Sequence, residues 1–283
     1  MRTTDARRVL SADRRGSSWP VLVETSDGLR FTKLRGAAQG TAPLVAEVIV
    51  AALAEMLGLN VPARTIVRIE PDVPSADRHD ELRDLLNRSV GENLGFAYLD
   101  GGAMIDAGAA DARAVDSISS DDAASIVWLD ALVMNPDRGA HNSNMMRWHD
   151  RVWLIDHGAA LGFQYAWDQV TEDSPRAPWR PPHLHVLASR VADLDSWDEI
   201  LAPRLTRDVI QAAVDDVPDS FLLPLVGAMR DLETLRRRRA AYVAFLWKRL
   251  AAPRGFFRGL SNAAQPAPRD RRVPDWLTRP ARG

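Results

Sequence analysis

The chain has 283 residues, of which 46% are hydrophobic and 26% charged, and this composition excludes a disordered or fibrous protein. Lysine and arginine number 36 against 38 aspartates and glutamates, so the net charge of -2 gives no general attraction to nucleic acid or to an anionic membrane. The absence of cysteine excludes disulfide scaffolds, thiolate zinc sites and cysteine nucleophiles.

No segment has the pattern of a membrane span. Residues 1–15 are charged and lack an apolar core, and the longest uncharged apolar stretch, residues 221–229, is far too short to cross a bilayer. We therefore expect a soluble protein without nucleic-acid partners. The lack of cysteine suits a reducing compartment, so we expect the location to be cytoplasmic.

The first predicted elements form a hairpin. Two β-prone runs lie between residues 20 and 34, and Asp27-Gly28 between them is a strong turn signal. Lys33 falls near the end of the second run. It is one of only two lysines among the 36 cationic residues, the other being Lys248 on a predicted helix face. A lysine kept in an arginine-rich chain favours a role for a compact ammonium, such as contact with a polyphosphate.

A mainly apolar helix is predicted over residues 43–57. Thr41 would cap its start and Gly58 would end it. The segment carries only two charges, both glutamates, so most of the helix should be covered by protein. Glu47 is one of the two, and the pattern leaves open whether it faces solvent or pairs with Lys33.

The remaining elements follow from periodicity and turn signals. The list in chain order is a strand at 63–69, a polar loop at 71–80, a strand running into a connection at 94–102, a helix at 123–134 capped by Asp121 or Asp122, a hairpin of strands 145–148 and 151–155, and helices at 206–216 and 219–250. From residue 252 the chain contains seven arginines, two aspartates and five prolines, which predicts a disordered tail.

Three side chains around the second hairpin suggest phosphoryl transfer. Asp137 and Asn142 lie five residues apart after the apolar helix, and Asp156 lies where the hairpin ends. In kinases an aspartate orients the acceptor hydroxyl, and an asparagine five residues later holds Mg²⁺ together with the aspartate of a D-x-G turn. Pairing of the two strands is expected to bring Asn142 and Asp156 together, and their oxygens suit Mg²⁺.

Each of these residues has a simpler interpretation. Asp137 could be a turn residue after Pro136, and Asn142 or Asn144 could bond to its own backbone. However, three of the seven asparagines, Asn135, Asn142 and Asn144, fall within ten residues beside Asp137. This density favours a site over an ordinary turn.

Several blocks together resemble the HipA-like kinases, in particular the short single-domain branch. The residues that carry the resemblance are Ser17-Ser18 with Pro20, Lys33 at the end of a strand, Glu47 in an apolar helix, NPDRGAHNSN at 135–144 and LIDHGAA at 154–160. The resemblance implies an α+β, bilobal protein-kinase-like fold, with a small strand-rich N-lobe and a mainly helical C-lobe. It also implies ATP with Mg²⁺ and phosphorylation of a hydroxyl, which in the best-known relatives is a serine of a protein.

The resemblance assigns a role to each of these residues. Lys33 would contact the α- and β-phosphates with support from Glu47, Asp137 would act as the base, and Asn142 and Asp156 would bind the metal. The resemblance also places Ser17 and Ser18 at the phosphates. Phe96, Tyr98 and Leu99 are assigned to adenine from their position between the lobes alone. Two features depart from ordinary protein kinases, since His157 replaces the aromatic residue of the D-x-G turn and no full glycine-rich pattern surrounds Gly16.

The expected organisation is a flexible N-terminus at 1–14, an ATP-binding lobe at 15–100, a catalytic helical lobe at 101–251 and the tail at 252–283. One alternative is a catalytically silent nucleotide-binding protein of the same fold. Another is a metallohydrolase that uses His141, His149 and His157 with the nearby aspartates. That second alternative gives no role to Asn142 or Lys33. The acceptor, a protein serine or threonine, a small molecule, an inositol lipid or the chain itself, and the oligomeric state are not specified by any motif.

Overall fold

A strand-rich N-terminal part precedes a helical C-terminal part, as predicted. The computed structural model describes residues 1–13, 19–105, 115–139, 142–181, 184–191, 193–225 and 231–258. The strands in these ranges are β1 (Arg2–Ala12), β2 (Val21–Thr25), β3 (Gly28–Lys33), β4 (Arg64–Ile69), β5 (Gly91–Ala97), β6 (Ala103–Met104), β7 (Met145–Trp148) and β8 (Arg151–Leu154). The helices are α1 (Ala42–Met56), α2 (Asp80–Arg88), α3 (Ser120–Val133), α4 (Leu194–Leu201), α5 (Arg207–Asp215), α6 (Asp219–Leu222) and α7 (Leu232–Leu250).

The first five strands close into a barrel in the order β1-β2-β3-β5-β4. The β2–β3 hairpin turns at Ser26-Asp27, and Gly28, the first residue of β3, has φ +100°, a conformation that costs glycine little because it has no Cβ. β3 pairs with β5, and Lys33 lies opposite Leu94 at the end of that ladder. A small apolar cluster of valines, leucines and Ile69 fills the barrel and packs under α2. The barrel therefore holds Lys33 on a rigid strand.

The predicted flexible N-terminus is instead a strand. β1 pairs antiparallel with β2 and parallel with β4, and so closes the barrel. Its charged side chains point outward, while Thr4 and Val9 are buried. The segment was predicted to be flexible because it is rich in charged residues. In a strand, however, the charged side chains can face solvent while the residues of the other face are buried.

α1 is buried almost all round, as its sequence predicted, and it packs against α5 and α6. Gly58 follows its end with φ +84°. Thr41 is the N-cap residue of α1, as predicted, but its side chain makes no capping hydrogen bond. Its hydroxyl donates instead to the carbonyl of Phe221 at 2.7 Å. Thr41 thus joins the start of α1 to the helical part rather than to its own helix.

The β7–β8 hairpin is confirmed, and β6 adds a third strand to it. His149 and Asp150 form its turn with positive φ angles of 48° and 58°. α3 is also confirmed, but its cap is Ser119, whose hydroxyl accepts from the backbone N–H of Asp122 at 3.0 Å. The observed cap of α3 therefore lies two residues before Asp121 and three before Asp122, the two predicted caps.

The long helix predicted over residues 219–250 is interrupted. α6 ends at Leu222, and a 3-10 turn at Leu223–Leu225 contains Pro224, which has no backbone N–H to continue an α-helix. α7 then begins at Leu232. Residues 226–230 lie outside the described part of the chain, and within that part no helix is both long and apolar enough to cross a membrane.

The start of the predicted disordered tail packs against the rest of the protein. Phe256 and Phe257 are buried against the main apolar core. The carbonyl of Phe256 accepts from the backbone N–H of Trp179 at 2.8 Å, and Arg254 pairs with Asp198 at 2.6 Å. The adjacent phenylalanines anchor this segment despite the arginines around them. Residues 259–283, the rest of the predicted tail, lie outside the described residues.

A buried arginine fixes the end of α3. The Arg249 guanidinium donates to the carbonyls of Ala131 and Leu132 in the last turn of α3, and to those of Pro175 and Ala177 in a neighbouring loop, at 2.8–2.9 Å. Burial lowers its pKa to about 10, so it keeps its charge at neutral pH. The last carbonyls of a helix have no partner within the helix, so Arg249 supplies the missing donors.

We expect Arg249→Met to destabilise the protein by about 3 kcal/mol, because it leaves several buried carbonyls without donors. That loss corresponds to a Tm lower by about 6–12 °C for a protein of this size. Arg237→Met on the exposed face of the same helix, where the side chain is 78% exposed, is the matched control and should leave Tm unchanged. Equal melting temperatures for the two variants would contradict the capping role.

Candidate active site

Three charged side chains from separate elements meet at the end of β3. The Lys33 ammonium donates to Glu47 Oε1 at 2.5 Å and to Asp156 Oδ1 at 2.6 Å. Glu47 comes from the buried α1, and Asp156 follows β8. The Lys33 side chain is 9% exposed and that of Glu47 is fully buried, whereas the Asp156 side chain is 43% exposed. Asp156 therefore presents this cluster to solvent.

The charges of the cluster support one another. Burial alone would lower the pKa of Lys33, but the carboxylates of Glu47 and Asp156 outweigh it and raise that pKa above its usual value. Burial raises the pKa of Glu47, and the nearby ammonium opposes this effect. Burial also acts to raise the pKa of Asp156, but Lys33 holds it below its usual value. At neutral pH, Lys33 is a cation and Asp156 an anion.

Of the two interpretations of Glu47, the structure shows the ion pair with Lys33. A carboxylate in a helix that is buried on all sides needs a cation, and Lys33 provides it. The glycine of the D-x-G turn allows this approach. A Cβ on Gly158 would lie 3.1 Å from Pro43 Cβ and 3.5 Å from Glu47 Oε1. A larger residue at 158 would push the start of α1 away.

Asp137 is held by three asparagines. Its backbone N–H donates to Asn135 Oδ1 at 3.2 Å. Its carboxylate oxygen Oδ2 accepts from the amides of Asn142 at 3.1 Å and Asn144 at 3.3 Å, and its carbonyl accepts from Asn144 at 2.7 Å. Asp137 is half-buried, so the carboxylate is fixed in orientation while part of it faces solvent. This arrangement suits a group that orients a substrate.

The backbone bonds before β7 distinguish the position of Asn142 from that of Asn144. Gly139 and Asn142 exchange backbone hydrogen bonds of 3.1 and 3.2 Å, which close a tight turn before β7 begins. Asn144 is the residue beside β8, since its carbonyl accepts from the N–H of Ile155 at 3.1 Å. Asn142 is exposed and bonds to Asp137, and among the described residues no hydrogen bond joins its side chain to that of Asp156. The closeness of Asn142 to Asp156 therefore stays a prediction.

Asn144 and Asp156 share an unusual backbone conformation. Their φ angles are +49° and +55°, in the left-handed region that asparagine and aspartate tolerate better than most residues. Strained backbone of this kind occurs often at functional sites, where the surrounding structure imposes it. Asn144 precedes β7 and Asp156 follows β8, so both conformations occur at the same end of the hairpin.

A buried network behind Asp137 was missed by the sequence analysis. Asp130, fully buried in α3, accepts from Arg138 Nε at 2.5 Å and from Asn135 Nδ2 at 3.0 Å, and lies 3.0 Å from His185 Nε2. Although burial acts to raise the pKa of Asp130, the Arg138 charge and the His185 hydrogen bond hold it well below its usual value. Arg138 also donates to the Asn144 carbonyl at 2.6 Å. The network ties α3 to the segment that carries the asparagines.

Only some of the residues predicted to contact the nucleotide lie in the described part of the chain. Ser17, Ser18 and Gly16 lie outside the described residues. Phe96 packs against the main apolar core, Tyr98 is 44% exposed and Leu99 is buried. These three residues differ in exposure, and their contact with adenine stays a prediction.

The histidines of the metallohydrolase alternative are spread along the hairpin. His149 stacks on Trp148 in the turn, with ring centroids 4.0 Å apart, while His157 is buried beyond the other end of β8. A four-residue strand separates the two by about 13 Å. His141 lies outside the described residues. In the described ranges, no three histidines, aspartates or glutamates are grouped as metal ligands.

Oxygen donors suited to Mg²⁺ are present nearby. The Asp156 carboxylate is partly exposed, and the amides of Asn142 and Asn144 use their nitrogens on Asp137. This use of the nitrogens leaves the amide oxygens for a ligand. Carboxylate and amide oxygens with water are the ligands that Mg²⁺ prefers, so this donor set fits the ion.

Comparison with known proteins points to one family. A family model described as HipA-like kinase matches residues 7–174. Among solved structures, the chain is similar to the crystal structure of a Helicobacter pylori proinflammatory kinase, CtkA, with 12% sequence identity, coverage of 85% of this chain and 95% of that chain, and a TM-score of 0.47. No curated protein matches the chain. The family match includes the cluster around Lys33 and the segment around Asp137.

Proposed function

The chain belongs to the HipA-like kinase family, and we propose that it transfers the γ-phosphate of ATP, bound with Mg²⁺, to the hydroxyl of a protein serine or threonine. The observation that carries the proposal is the buried ammonium of Lys33 held at 2.5 Å from Glu47 and 2.6 Å from Asp156. A fixed cation can bind a polyphosphate, and a partly exposed carboxylate beside it can bind the metal ion that the polyphosphate carries.

Lys33 would contact the α- and β-phosphates. The ammonium is a compact point charge with three donors, and two of its hydrogen bonds already fix its direction. Glu47 supports it from the buried side. A lysine held in this way needs little reorganisation when the nucleotide binds, which is how preorganised charges accelerate phosphoryl transfer.

Asp156 with Asn142 or Asn144 would hold Mg²⁺. When bound, the ion neutralises charge on the phosphates during transfer. The sequence assigned this role to Asn142. Asn144 lies next to β8 by backbone pairing and is the second candidate.

Asp137 would orient the acceptor hydroxyl and accept its proton. The transition state of phosphoryl transfer is loose, so correct placement matters more than the strength of the base. The amides of Asn142 and Asn144 fix one carboxylate oxygen of Asp137.

In the proposed bilobal arrangement, the strand-rich lobe includes β1 and extends to about residue 100, and the catalytic helical lobe follows. ATP would lie between them, with adenine near Phe96, Tyr98 and Leu99 and with phosphates near Ser17 and Ser18. Dependence on ATP is in keeping with a cytoplasmic location.

We expect MgATP to raise Tm, because a ligand that binds only the folded state at 100 times its Kd adds about 2.7 kcal/mol of stability. Asp156→Asn should abolish the part of this shift that requires Mg²⁺. Asp150→Asn, an exposed residue in the hairpin turn that already has positive φ, is the matched control and should keep it. Thermal unfolding with ATP, with and without Mg²⁺, makes the measurement.

Transfer is tested with γ-labelled ATP and dephosphorylated casein, followed by phosphoamino-acid analysis. Labelled phosphoserine or phosphothreonine in casein or in the chain itself would support the proposal. Binding of MgATP without any transfer would favour the catalytically silent alternative. The absence of any nucleotide-dependent shift in Tm would contradict both.

A further inference from the structure

His185 is a buried histidine that the proposed reaction does not use. It lies in residues 184–187, which belong to neither a helix nor a strand, and its side chain is 1% exposed. A buried imidazole costs free energy unless its nitrogens find hydrogen-bond partners. Both ring nitrogens of His185 have one, and the two partners come from different parts of the chain.

These two hydrogen bonds determine which ring nitrogen carries the proton. The backbone N–H of Leu187 donates to His185 Nδ1 at 3.1 Å, so Nδ1 presents its lone pair. His185 Nε2 lies 3.0 Å from Asp130 Oδ2, and the ionised carboxylate can only accept. The proton is therefore on Nε2, and His185 is a donor to Asp130.

A line of hydrogen bonds leads from Asp130 to the proposed base. Asp130 Oδ1 accepts from Asn135 Nδ2 at 3.0 Å, and Asn135 Oδ1 accepts from the backbone N–H of Asp137 at 3.2 Å. Asp130 and Asn135 are both fully buried, so bulk water does not compete for these bonds. Rotation of the Asp130 carboxylate would therefore be passed through the Asn135 amide to Asp137.

Arg138 forms a second line from Asp130 to Asp137. Its Nε donates at 2.5 Å to Asp130 Oδ2, the same oxygen that faces His185. Its Nη1 donates to the carbonyl of Asn144 at 2.6 Å, and the Asn144 amide donates to the carbonyl of Asp137 at 2.7 Å and to its Oδ2 at 3.3 Å. Both the backbone and the carboxylate of Asp137 are thus connected to Asp130.

We propose that His185 is a positioning residue for Asp137, because it holds the Asp130 carboxylate in the orientation from which both lines of hydrogen bonds reach the base. Without the donor at Nε2, Asp130 Oδ2 would keep only the Arg138 bond and could turn toward the guanidinium. The inference rests on the proposed function, since the rate that it concerns is that of phosphate transfer.

Two variants separate the two bonds of the ring. In His185→Gln the amide nitrogen reaches about as far as Nε2 and can donate to Asp130, whereas in His185→Asn the amide oxygen lies near the place of Nδ1 and can accept from Leu187. Each variant loses one hydrogen bond, so both should have a lower Tm. We expect kcat to stay within about threefold of wild type in His185→Gln but to fall about 100-fold in His185→Asn, the cost of a misplaced catalytic group.

The KM for MgATP should be unchanged in both variants, because the proposed nucleotide contacts are untouched. Transfer to dephosphorylated casein gives kcat and KM, and thermal unfolding gives Tm. His149→Asn alters an exposed histidine at a positive φ that asparagine tolerates, and it should keep wild-type kcat. Equal kcat values in His185→Gln and His185→Asn, or a lower value in the glutamine variant, would overturn the positioning role.

NMR of the ¹⁵N-labelled protein tests the geometry without turnover. Sequential assignment distinguishes the six histidines of the chain, and we expect the His185 ring to be protonated at Nε2 and not at Nδ1. The backbone amide signal of Asp137 should shift in His185→Asn and stay in place in His185→Gln. A proton on Nδ1 of His185 would overturn the proposal.

The outcomes separate this inference from the proposed function. If the two variants share one kcat in an active kinase, the positioning role fails and the function stands. If the wild-type protein transfers no phosphate, the proposed function fails and the Asp137 amide signal decides: a shift confined to His185→Asn supports the inference, and equal signals overturn it. If neither variant folds, the wild-type tautomer decides, since a proton on Nε2 supports the inference and a proton on Nδ1 overturns it.

Discussion

Asp137→Asn is expected to lower kcat for phosphate transfer by about 10²–10⁴-fold, the usual contribution of a positioned acid–base group. An asparagine side chain cannot accept the hydroxyl proton. It can still accept hydrogen bonds from the amides of Asn142 and Asn144 through its oxygen, so the loop should keep its shape. Affinity for MgATP should therefore be unchanged, because Asp137 is not proposed to hold the nucleotide.

The measurement combines steady-state kinetics of label transfer with calorimetric titration of a nonhydrolysable ATP analogue in the presence of Mg²⁺. Asp168→Asn, at an exposed position in a 3-10 turn, makes the same chemical change away from the site and is expected to behave as wild type. If Asp137→Asn kept its kcat, the base would have to be another residue. If it lost affinity for the nucleotide, its role would be in binding.

The parts of the site that the sequence predicted are those set by local structure. Lys33 could be placed at a strand end because Asp27-Gly28 fixes the hairpin and therefore the register of β3. The position of Asp156 followed in the same way from the two-residue turn of the β7–β8 hairpin. Residues set by short-range turns are predictable because few alternatives compete over such distances.

Long-range pairing was not predicted. β1 pairs with β4, about sixty residues away, and no local pattern in a charged segment indicates that partner. The same holds for Phe256 and Phe257, which reach the core beneath α3 and Trp179. In both cases the local composition favours disorder, and contacts formed by distant parts of the chain outweigh it.

The buried network around Asp130 is a case in which the sequence contained a usable signal. Asp130 is the one charged residue between residues 123 and 134, just as Glu47 is a rare charge in α1. A charge in a buried helix needs a partner, and this holds for Asp130 as it does for Glu47. Its partners Arg138 and His185 could not be named, because His185 is brought in by a loop without regular structure.

Lys33→Met is expected to abolish phosphate transfer and also to destabilise the protein by about 3–5 kcal/mol, the usual cost of removing one partner of a buried ion pair. The fully buried Glu47 would be left without its cation, and Asp156 would lose its hydrogen bond. A loss of activity in this variant alone is therefore ambiguous, because part of it could come from unfolding.

The destabilisation should depend on pH. Without the ammonium, burial raises the pKa of Glu47 further above its value in the unfolded chain, so the folded variant binds the proton more tightly than the unfolded one. Stability of Lys33→Met should therefore be greatest below about pH 4.3, the ordinary pKa of glutamate, and should fall as the pH rises above it. Urea unfolding at several pH values would measure this, and a pH-independent loss would contradict the unpaired carboxylate as its cause.

The double variant Lys33→Met with Glu47→Leu separates stability from catalysis. Removing both buried charges leaves neither uncompensated, so most of the stability should return, whereas phosphate transfer should not. Lys248→Met changes the other lysine of the chain, which pairs with the exposed Glu172 on the surface, and should affect neither property. Recovery of transfer in the double variant would mean that Lys33 only supports the fold. If the double variant is stable but still inactive, the charge of Lys33 is required for phosphate transfer itself.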